Sequence, residues 1–374
     1  MSESLFGRII LSVFFTVIIA VLVFGFLIFI HEFGHYIFAR IFKVTINEFS
    51  IGMGPRIFSR ISKKTGIRYS VSAIPIGGFV AMAGEEREDG DGIPEFNVDK
   101  LSEDPNSFDK KPAWQRLIIT LAGALINIFA GFLAMIIVIS ATRRPSLVVD
   151  QFYREAEEAK LGISVTSDKW IMEGDEIVAV NGKSVHLYES LRYEIMRNGH
   201  KPIDVAVVRD GERITLEDVS FPIMQTEGQI FGSIDFFVEE ADKTFFTVIG
   251  DSWANLWLNV RMVWESLFDL ITGRYSFAAV SGPVGISAAI GEAASVGFIS
   301  LLSLVSIISI NLGVMNLLPI PALDGGRMIT ILIEMITKKK LPAKVENTIN
   351  AVGLALLLAF SLVVLVKDVV GMII

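Results

Sequence analysis

The chain has 374 residues, none of them cysteine and only four of them histidine. Without cysteine it can form neither disulfide bonds nor thiolate metal sites, so any metal ion has to be bound by histidine and carboxylate side chains. The formal net charge is −8, and no long basic face is available to neutralise phosphates. The composition therefore argues against a nucleic-acid partner.

Charged residues are also scarce, at 20%, whereas 52% of the residues are hydrophobic and the mean hydropathy is +0.56. This is more apolar material than one soluble core of this length requires. Four apolar runs are long enough to cross a hydrocarbon layer of about 30 Å, which takes roughly 20 helical residues. They cover about residues 9–30 (continuing toward Phe42), 117–140, 297–318 and 349–370. The sequence predicts a multi-pass α-helical protein with four transmembrane helices in a lipid bilayer.

The first run is too long for the apolar part of a signal peptide and has no small-residue cleavage pattern before His31, so we expect it in the mature protein. Basic residues cluster in the loops between the runs. The clusters are Arg40, Lys43 and Arg56; Lys110, Lys111 and Arg116; and Lys338, Lys339, Lys340 and Lys344. The bias predicts that these loops are cytoplasmic and that both termini are extracytoplasmic. Arg143 and Arg144 depart from the rule after the second run.

The inner end of the first run carries the pattern HEFGH at residues 31–35. On a helix, His31 and His35 share one face and can reach one zinc ion, and Glu32 lies beside a zinc-bound water as general base. A histidine near a helix end is more often a solvated polar residue, but two of only four histidines fall in this register. The pattern predicts an intramembrane metalloprotease with its metal nearer the cytoplasm.

A catalytic zinc ion needs a third protein ligand. His186 and His200 lie in the soluble middle of the chain, so a carboxylate is required, and Asp324, at the inner end of the third run, is the best candidate. An alternative is that Asp324 caps the helix starting near Arg327. Burying Asp at membrane depth costs about 3 kcal/mol, whereas zinc sites supply about 10 kcal/mol or more, so ligation can offset the burial.

Together these motifs resemble bacterial site-2 proteases, in particular the regulator of sigma-E protease type. The resemblance rests on HEFGH (31–35), FSIGMG (49–54), IPIGGFV (74–80), GALIN (123–127), SGPVGI (281–286) and NLLPIPALDGG (316–326). It implies that His31, His35 and Asp324 bind one catalytic Zn²⁺, that Glu32 activates water, and that Asn316 contacts the substrate backbone or the developing oxyanion.

The second run departs from the family pattern GPxxN, because Ala124 replaces the proline. Asn127 is therefore expected only as a neighbour of the site that contacts the substrate or transition state. Gly123, Asn127 and Gly131 recur every fourth residue, and helix packing is an equally good explanation of this spacing.

Between the first two runs the pattern becomes strand-like, since Ile67, Tyr69 and Val71 alternate with polar residues. A hairpin or small sheet is expected. The resemblance implies that it enters the membrane and offers a strand edge to an unwound substrate; an ordinary cytoplasmic hairpin is the alternative. The acidic stretch that follows is expected to be a solvated, poorly ordered linker.

The middle of the chain has the composition of a soluble domain. Its strand, turn and helix order, with GDEIVAVNG at 174–182, resembles one PDZ domain, whose ligand the sequence does not identify. Residues 245–271 form an amphipathic pattern with three of the five tryptophans. This pattern suits a helix in the outer membrane interface, and packing onto the PDZ-like domain explains it equally well.

The predicted fold is thus four transmembrane helices with a membrane-associated β-hairpin or sheet and one extracytoplasmic PDZ-like α+β domain. The boundaries are 1–43 (first transmembrane helix), 44–83 (β region), 84–111 (acidic cytoplasmic linker), 112–142 (second helix), 145–225 (PDZ-like domain), 240–292 (interfacial amphipathic region), 295–326 (third helix with NxxPxPxLDG) and 327–374 (cytoplasmic-side helix, Lys-rich loop and fourth helix).

The predicted function is zinc-dependent cleavage of the transmembrane segments of single-pass membrane proteins, such as an anti-sigma factor or remnant signal peptides, in regulated intramembrane proteolysis. The protein is expected in the bacterial cytoplasmic membrane with its active site toward the cytoplasm. Two alternatives stay open: a proteolytically inactive membrane scaffold that binds through the PDZ-like domain, and a metal transporter, for which the second and fourth runs have few polar residues.

Overall fold

The computed structural model describes residues 2–84, 104–226, 229–274, 277 and 280–373. The chain divides into two compact units. The first combines Met1–Ala134 with Ser281–Ile374, and the second is Met135–Val280. The predicted linker at 84–111 falls mostly outside the described residues; its end contains a 3-10 turn at Phe108–Lys110.

Nine helices and ten strands lie in the described ranges. The helices are α1 (Ser2–Ile41), α2 (Ala113–Ala141), α3 (Glu155–Leu161), α4 (Tyr188–Asn198), α5 (Phe245–Ile271), α6 (Pro283–Val296), α7 (Phe298–Asn316), α8 (Asp324–Thr337) and α9 (Ala343–Ile373). The strands are β1 (Ile46–Ile61), β2 (Arg68–Met82), β3 (Pro145–Phe152), β4 (Glu176–Val180), β5 (Lys183–Ser184), β6 (Ile203–Arg209), β7 (Glu212–Val219), β8 (Ile223–Thr226), β9 (Gln229–Gly232) and β10 (Phe236–Glu240).

Four of these helices are long and apolar enough to cross a membrane, which confirms the prediction of four spans. The candidate spans are Val13–Ile41, Ala113–Ala141, Phe298–Asn316 and Lys344–Gly371. The apolar helix α6 has only 14 residues and is too short to be a full span. It packs beside α1 and α7, and Gly291 lies directly against Thr16 of α1, where a β-carbon would come within 2.6 Å of the threonine side chain.

Helices α2 and α7 approach closely because small residues line both. The hydroxyl of Ser306 donates a 2.7 Å hydrogen bond to the Gly131 carbonyl, and that of Ser309 donates a 2.8 Å bond to the Asn127 carbonyl. A β-carbon on Gly313 would come within 2.6 Å of the Ala124 carbonyl oxygen. Without a hydrophobic driving force in lipid, such close packing and interhelical hydrogen bonds hold helices together.

Strands β1 and β2 form a small sheet in which each strand bends sharply. The bends fall at Gly52 (φ +85°) and Gly77 (φ +79°), a backbone conformation that glycine adopts without strain. Residues 46–51 pair with 78–82, and 56–61 pair with 68–72. Glu48–Ile51 is also in register with Arg68–Val71, so 78–82 forms one edge of the sheet.

A buried ion pair stabilises this register. Glu48 is 1% exposed and accepts hydrogen bonds from the Arg56 guanidinium at 2.7 and 2.9 Å and from the Ser70 hydroxyl at 2.6 Å. These bonds connect three of the four strand segments. Because removing one partner would leave a buried charge unpaired, the pair favours this register over a slipped one.

The second unit is built on a sheet with the strand order β10-β3-β4-β6-β7, with β5 paired to β4. Helix α4 packs on the sheet through Leu191 and Ile195, which are fully buried. Helix α5 is held to α4 by a partly buried ion pair and by a hydrogen bond. Arg197 donates to both carboxylate oxygens of Asp269 at 2.8 and 3.0 Å, and Tyr193 donates to Glu265 at 2.9 Å.

Candidate metal centre

Helix α1 places His31 and His35 of the HEFGH motif one turn apart, as the 3.6-residue period requires. The Nε2 atoms of His31 and His35 lie 3.3 Å from each other. Both side chains are largely shielded from solvent, at 14% and 12% exposure. The two imidazoles therefore present a pair of nitrogen ligands to one point.

Asp324 is the first residue of α8 and does not cap it. The N-cap residue is Leu323, and no side-chain cap hydrogen bond is formed. The Oδ2 atom of Asp324 instead lies 3.3 Å from Nε2 of His31 and 3.4 Å from Nε2 of His35. This oxygen is buried and has no hydrogen-bond partner among the described residues. A carboxylate oxygen in that position, beside two histidine nitrogens, is suited to binding a cation.

The three ligand atoms fit a zinc ion. Ligands of a tetrahedral zinc with bonds of about 2.0 to 2.1 Å are separated by about 3.3 to 3.4 Å, and the three measured separations are 3.3, 3.3 and 3.4 Å. Among the described residues, only His31, His35 and Asp324 form a cluster of this kind. His186 and His200 belong to the second unit and are not part of it.

The other ring nitrogens of the two histidines are also bonded. Nδ1 of His35 lies 2.8 Å from the carbonyl oxygen of Ile119, which can only accept, so this nitrogen carries the proton and Nε2 is left as the ligand. Nδ1 of His31 lies 3.2 Å from the side-chain amide of Asn127. If His31 binds metal through Nε2, its Nδ1 has to donate, and the amide has to present its oxygen.

An amide that turns by 180° exchanges its donor and acceptor, so Asn127 can supply that oxygen. Asn127 is fully buried, and its Oδ1 has no hydrogen-bond partner among the described residues in the orientation with Nδ2 toward His31. The structure thus places Asn127 beside a candidate ligand. Its predicted contact with substrate or transition state remains a prediction.

Gly123 lies against the same ligands, which the sequence pattern alone did not reveal. A β-carbon at Gly123 would be 2.3 Å from Nε2 of His35 and 2.9 Å from Cε1 of His31. Gly34 of α1 is equally close to α2, because its β-carbon would be 2.5 Å from the Ala122 carbonyl oxygen. The two helices cross at these glycines, and the crossing brings α2 up to the metal site.

Two further glycines, Gly325 and Gly326, follow Asp324 and also allow close approach. A β-carbon on Gly325 would be 1.9 Å from the Leu318 carbonyl oxygen, and one on Gly326 would be 2.5 Å from that of Ile320. Both residues are helical, and the tight turn that precedes the helix lies at Ala322, with φ +70°. The glycines let α8 pack onto the preceding loop, which positions Asp324.

A cavity of about 240 Å³ surrounds the three candidate ligands. Glu32 and Asn316 line it, as do Gly78, Phe79 and Val80 from the edge segment of β2. Gly78 is in close contact with Glu32, since a β-carbon there would be 2.9 Å from Glu32 Cγ. All six residues predicted for the site therefore lie at the cavity or, in the case of Asn127, directly behind it.

An adjoining cavity of about 560 Å³ shares Asp324 and Arg327 with the first and extends along α8 and α9. It is lined by charged side chains, among them Arg116 and Glu334, which form a 2.5 Å ion pair. A polar cavity of this size has room for water beside Asp324.

Comparison with known proteins agrees with this geometry. Residues 19–360 match peptidase family M50. The chain belongs to this family. It is 35% identical over 358 residues to a Clostridium acetobutylicum protein provisionally named a zinc metalloprotease, covering 96% of this chain and 98% of the relative. It is 27% identical over 424 residues to the regulator of sigma-W protease RasP of Bacillus subtilis, covering 95% and 98%.

The resemblance to site-2 proteases is thereby confirmed. As a member of family M50, the chain is a zinc metalloendopeptidase of the site-2 protease type, and zinc is its cofactor. Its four apolar helices make it an integral membrane protein. His31, His35 and Asp324 can form the metal site.

Proposed function

We propose that the chain hydrolyses peptide bonds within the membrane at a zinc ion held by His31, His35 and Asp324, with Glu32 as general base. The observation that carries this proposal is the triangle of ligand atoms, because its members come from α1 and from α8, nearly 290 residues apart in sequence. The arrangement also explains why the buried Oδ2 atom of Asp324 accepts no hydrogen bond from the described residues.

In the proposed mechanism, bound zinc supplies Lewis acidity, which lowers the pKa of water toward about 7 and polarises the scissile carbonyl. The Glu32 carboxylate accepts a proton from the attacking water and delivers it to the leaving amine nitrogen. Asn316 donates from its amide to the substrate backbone or the developing oxyanion. The Ile119 carbonyl orients the His35 ring, and the Asn127 side chain orients the His31 ring.

The edge of the small sheet is proposed to hold the substrate. Phe79 and Val80 line the active-site cavity, and segment 78–82 pairs on one side only among the described strands. A transmembrane helix has to unwind before its backbone can reach the metal site. Pairing with this edge would satisfy the exposed backbone groups of an extended substrate within the membrane.

We place the protein in the bacterial cytoplasmic membrane, with the active site toward the cytoplasm and both termini and the second unit outside. The distribution of Lys and Arg among the loops supports this orientation. The second unit is proposed to contain a PDZ-like domain at 145–225, which its order of strands and helices supports. Exposed Trp253, Trp257 and Trp264 on α5 favour a position in the outer membrane interface.

The proposed substrates are single-pass membrane proteins, either an anti-sigma factor in regulated intramembrane proteolysis or remnant signal peptides. The name of the B. subtilis relative, a regulator of sigma-W protease, supports the first of these. The requirement for an extended strand beside β2 supports both, because a single helix without tertiary partners unwinds more readily than one packed in a bundle.

The test is Glu32→Gln in the full chain, reconstituted in liposomes with a single-pass membrane substrate. Cleavage should fall by at least about 100-fold, the usual contribution of a general base, while zinc content stays near that of the unchanged chain. Glu292→Gln, an exposed residue of α6, is the matched control and should keep full activity. Normal cleavage by the Glu32→Gln chain would rule out the mechanism. Absence of cleavage by every form would favour the inactive scaffold.

A further inference from the structure

A second feature of the first unit is a surface on the β1–β2 sheet that is both basic and apolar. Residues 51–83 contain five basic residues and no acidic residue, although the whole chain carries a net charge of −8. One of the five, Arg56, is used within the sheet, because it pairs with buried Glu48. The remaining four lie around the turn between the two strands.

Together with one residue in the last turn of α1 and one just after it, these four form what we call the basic rim: Arg40, Lys43, Arg60, Lys63, Lys64 and Arg68. All except Arg68 are exposed. Arg60, Lys63 and Lys64 form no ion pair with an acidic residue in the part of the chain that the structure describes. Their charges are therefore available to an external anion.

Contacts with α1 set the depth of this rim. Ile67, in the turn, packs in one buried cluster with Ala39 near the end of α1 and with Val44 just beyond it. The hydroxyls of Tyr69 and Tyr36 are 2.8 Å apart, about one helical turn further into the span. The turn and the rim therefore lie level with the end of α1, where a membrane span reaches the headgroups.

The other end of the sheet reaches the level of the apolar part of α1. Gly78 lies against Ile28 and Glu32 of α1 and is paired with Ile51. Two residues further along β1, Met53 is paired with Ile74. The side chains of Met53, Ile57 and Ile74 are 50%, 73% and 48% exposed. Exposed apolar residues at this depth suit the hydrocarbon layer of the membrane. The cationic side chains of the basic rim lie at the level of the lipid phosphates.

We propose that the basic rim binds the headgroups of anionic phospholipids in the leaflet at the end of α1. A cluster of about four to eight cations beside a membrane span attracts anionic lipid, and the apolar surface next to this rim continues into the bilayer rather than into water. A soluble acidic partner would leave that apolar surface uncovered. The inference requires that α1 spans the membrane but does not depend on the catalytic roles proposed above.

The experiment is native mass spectrometry of the detergent-solubilised full chain, titrated separately with phosphatidylglycerol and with phosphatidylcholine. The test variant is R60Q/K63Q/K64Q. The control is K169Q/K201Q/R213Q, which makes the same change in charge at exposed residues of the second unit. The original chain should bind phosphatidylglycerol in preference to phosphatidylcholine. The test variant should lose at least fivefold in phosphatidylglycerol affinity, and the control should stay within twofold.

A charge-preserving variant, R60K/K63R/K64R, separates loss of charge from loss of structure and should bind like the original chain. Zinc content should be the same in all four forms, which shows that the metal site is intact. Equal affinity for the two lipids, or phosphatidylglycerol binding that does not change in R60Q/K63Q/K64Q, would overturn the proposal. The second outcome would point instead to an acidic protein segment as the partner of the rim.

Discussion

At the scale of single residues, the site depends on atoms placed to within a few tenths of an ångström. His31, His35 and Asp324 present their ligand atoms at the separations of one coordination sphere. Asn127 and Gly123 lie immediately behind them on α2. Three substitutions test these placements separately, and zinc content measures each one without reference to catalysis.

Asp324→Asn should reduce zinc from about one ion per chain to a small fraction of that, because a neutral amide is a much poorer zinc ligand than a carboxylate. The measurement is metal analysis of the purified chain. Asp168→Asn, at an exposed residue of the second unit, should keep its zinc. An unchanged stoichiometry in Asp324→Asn would show that Asp324 is not a ligand.

Asn127→Ala should weaken zinc binding by about 10 to 100-fold, the usual effect of removing a group that orients a histidine ligand. Asn127→Asp keeps an acceptor for the His31 Nδ1 proton and should lose much less. Competition with a zinc chelator measures both. If Asn127 instead contacts only the substrate, both variants will bind zinc normally and differ only in turnover.

Gly123→Ala should also lose zinc, because its β-carbon would be 2.3 Å from the His35 ligand nitrogen and backbone packing of α2 on α1 leaves no room to shift. Gly250→Ala is the control, since a β-carbon at Gly250 would have no neighbour within 4 Å. Retention of zinc by Gly123→Ala would mean that α2 moves away from α1 at little cost.

At the scale of secondary-structure elements, buried polar contacts fix how neighbouring elements pack. Glu48 and Arg56 hold the bent strands β1 and β2 in register, which keeps segment 78–82 at the edge beside Glu32. In the second unit, Arg197 bonds Asp269, which is 3% exposed, and thereby holds α5 on α4.

Arg197→Ala should destabilise the packing of α5 on α4 by about 3 kcal/mol, because it leaves the buried Asp269 carboxylate short of its bidentate partner. Hydrogen exchange of the α5 backbone amides should become faster. Arg192→Ala, at an exposed position of the same helix α4, should leave exchange unchanged. Protection that survives in Arg197→Ala would indicate that apolar contacts alone hold α5.

At the scale of the whole molecule, the proposed orientation follows from the distribution of basic residues between the spans. The absence of cysteine makes it directly testable, because any introduced thiol is unique. His186→Cys, in the second unit, should react with a membrane-impermeant maleimide in intact cells. Lys339→Cys, in the loop before α9, should react only after the cells are permeabilised. The reverse pattern would invert the topology.

Much of the architecture follows from the sequence because it depends on local regularities. Apolar length determines the four spans. The helical period determines that His31 and His35 share a face, and the lack of cysteine together with the scarcity of histidine directs the search for a third ligand to a carboxylate such as Asp324. Alternation of polar and apolar residues predicts strands between the first two spans, but not that each strand bends and pairs twice.

Only the tertiary structure decides which distant residues meet. The contact of Asn127 with His31, the closeness of Gly123 to the ligands and the packing of Gly78 against Glu32 all join residues that lie roughly 45 to 95 positions apart in sequence. These contacts are set by where two helices cross and by the register of a bent strand. Neither the helix crossing nor the strand register can be recognised from a local sequence pattern. The same glycine spacing, for example, occurs where helices simply pack together and where a helix approaches a metal site.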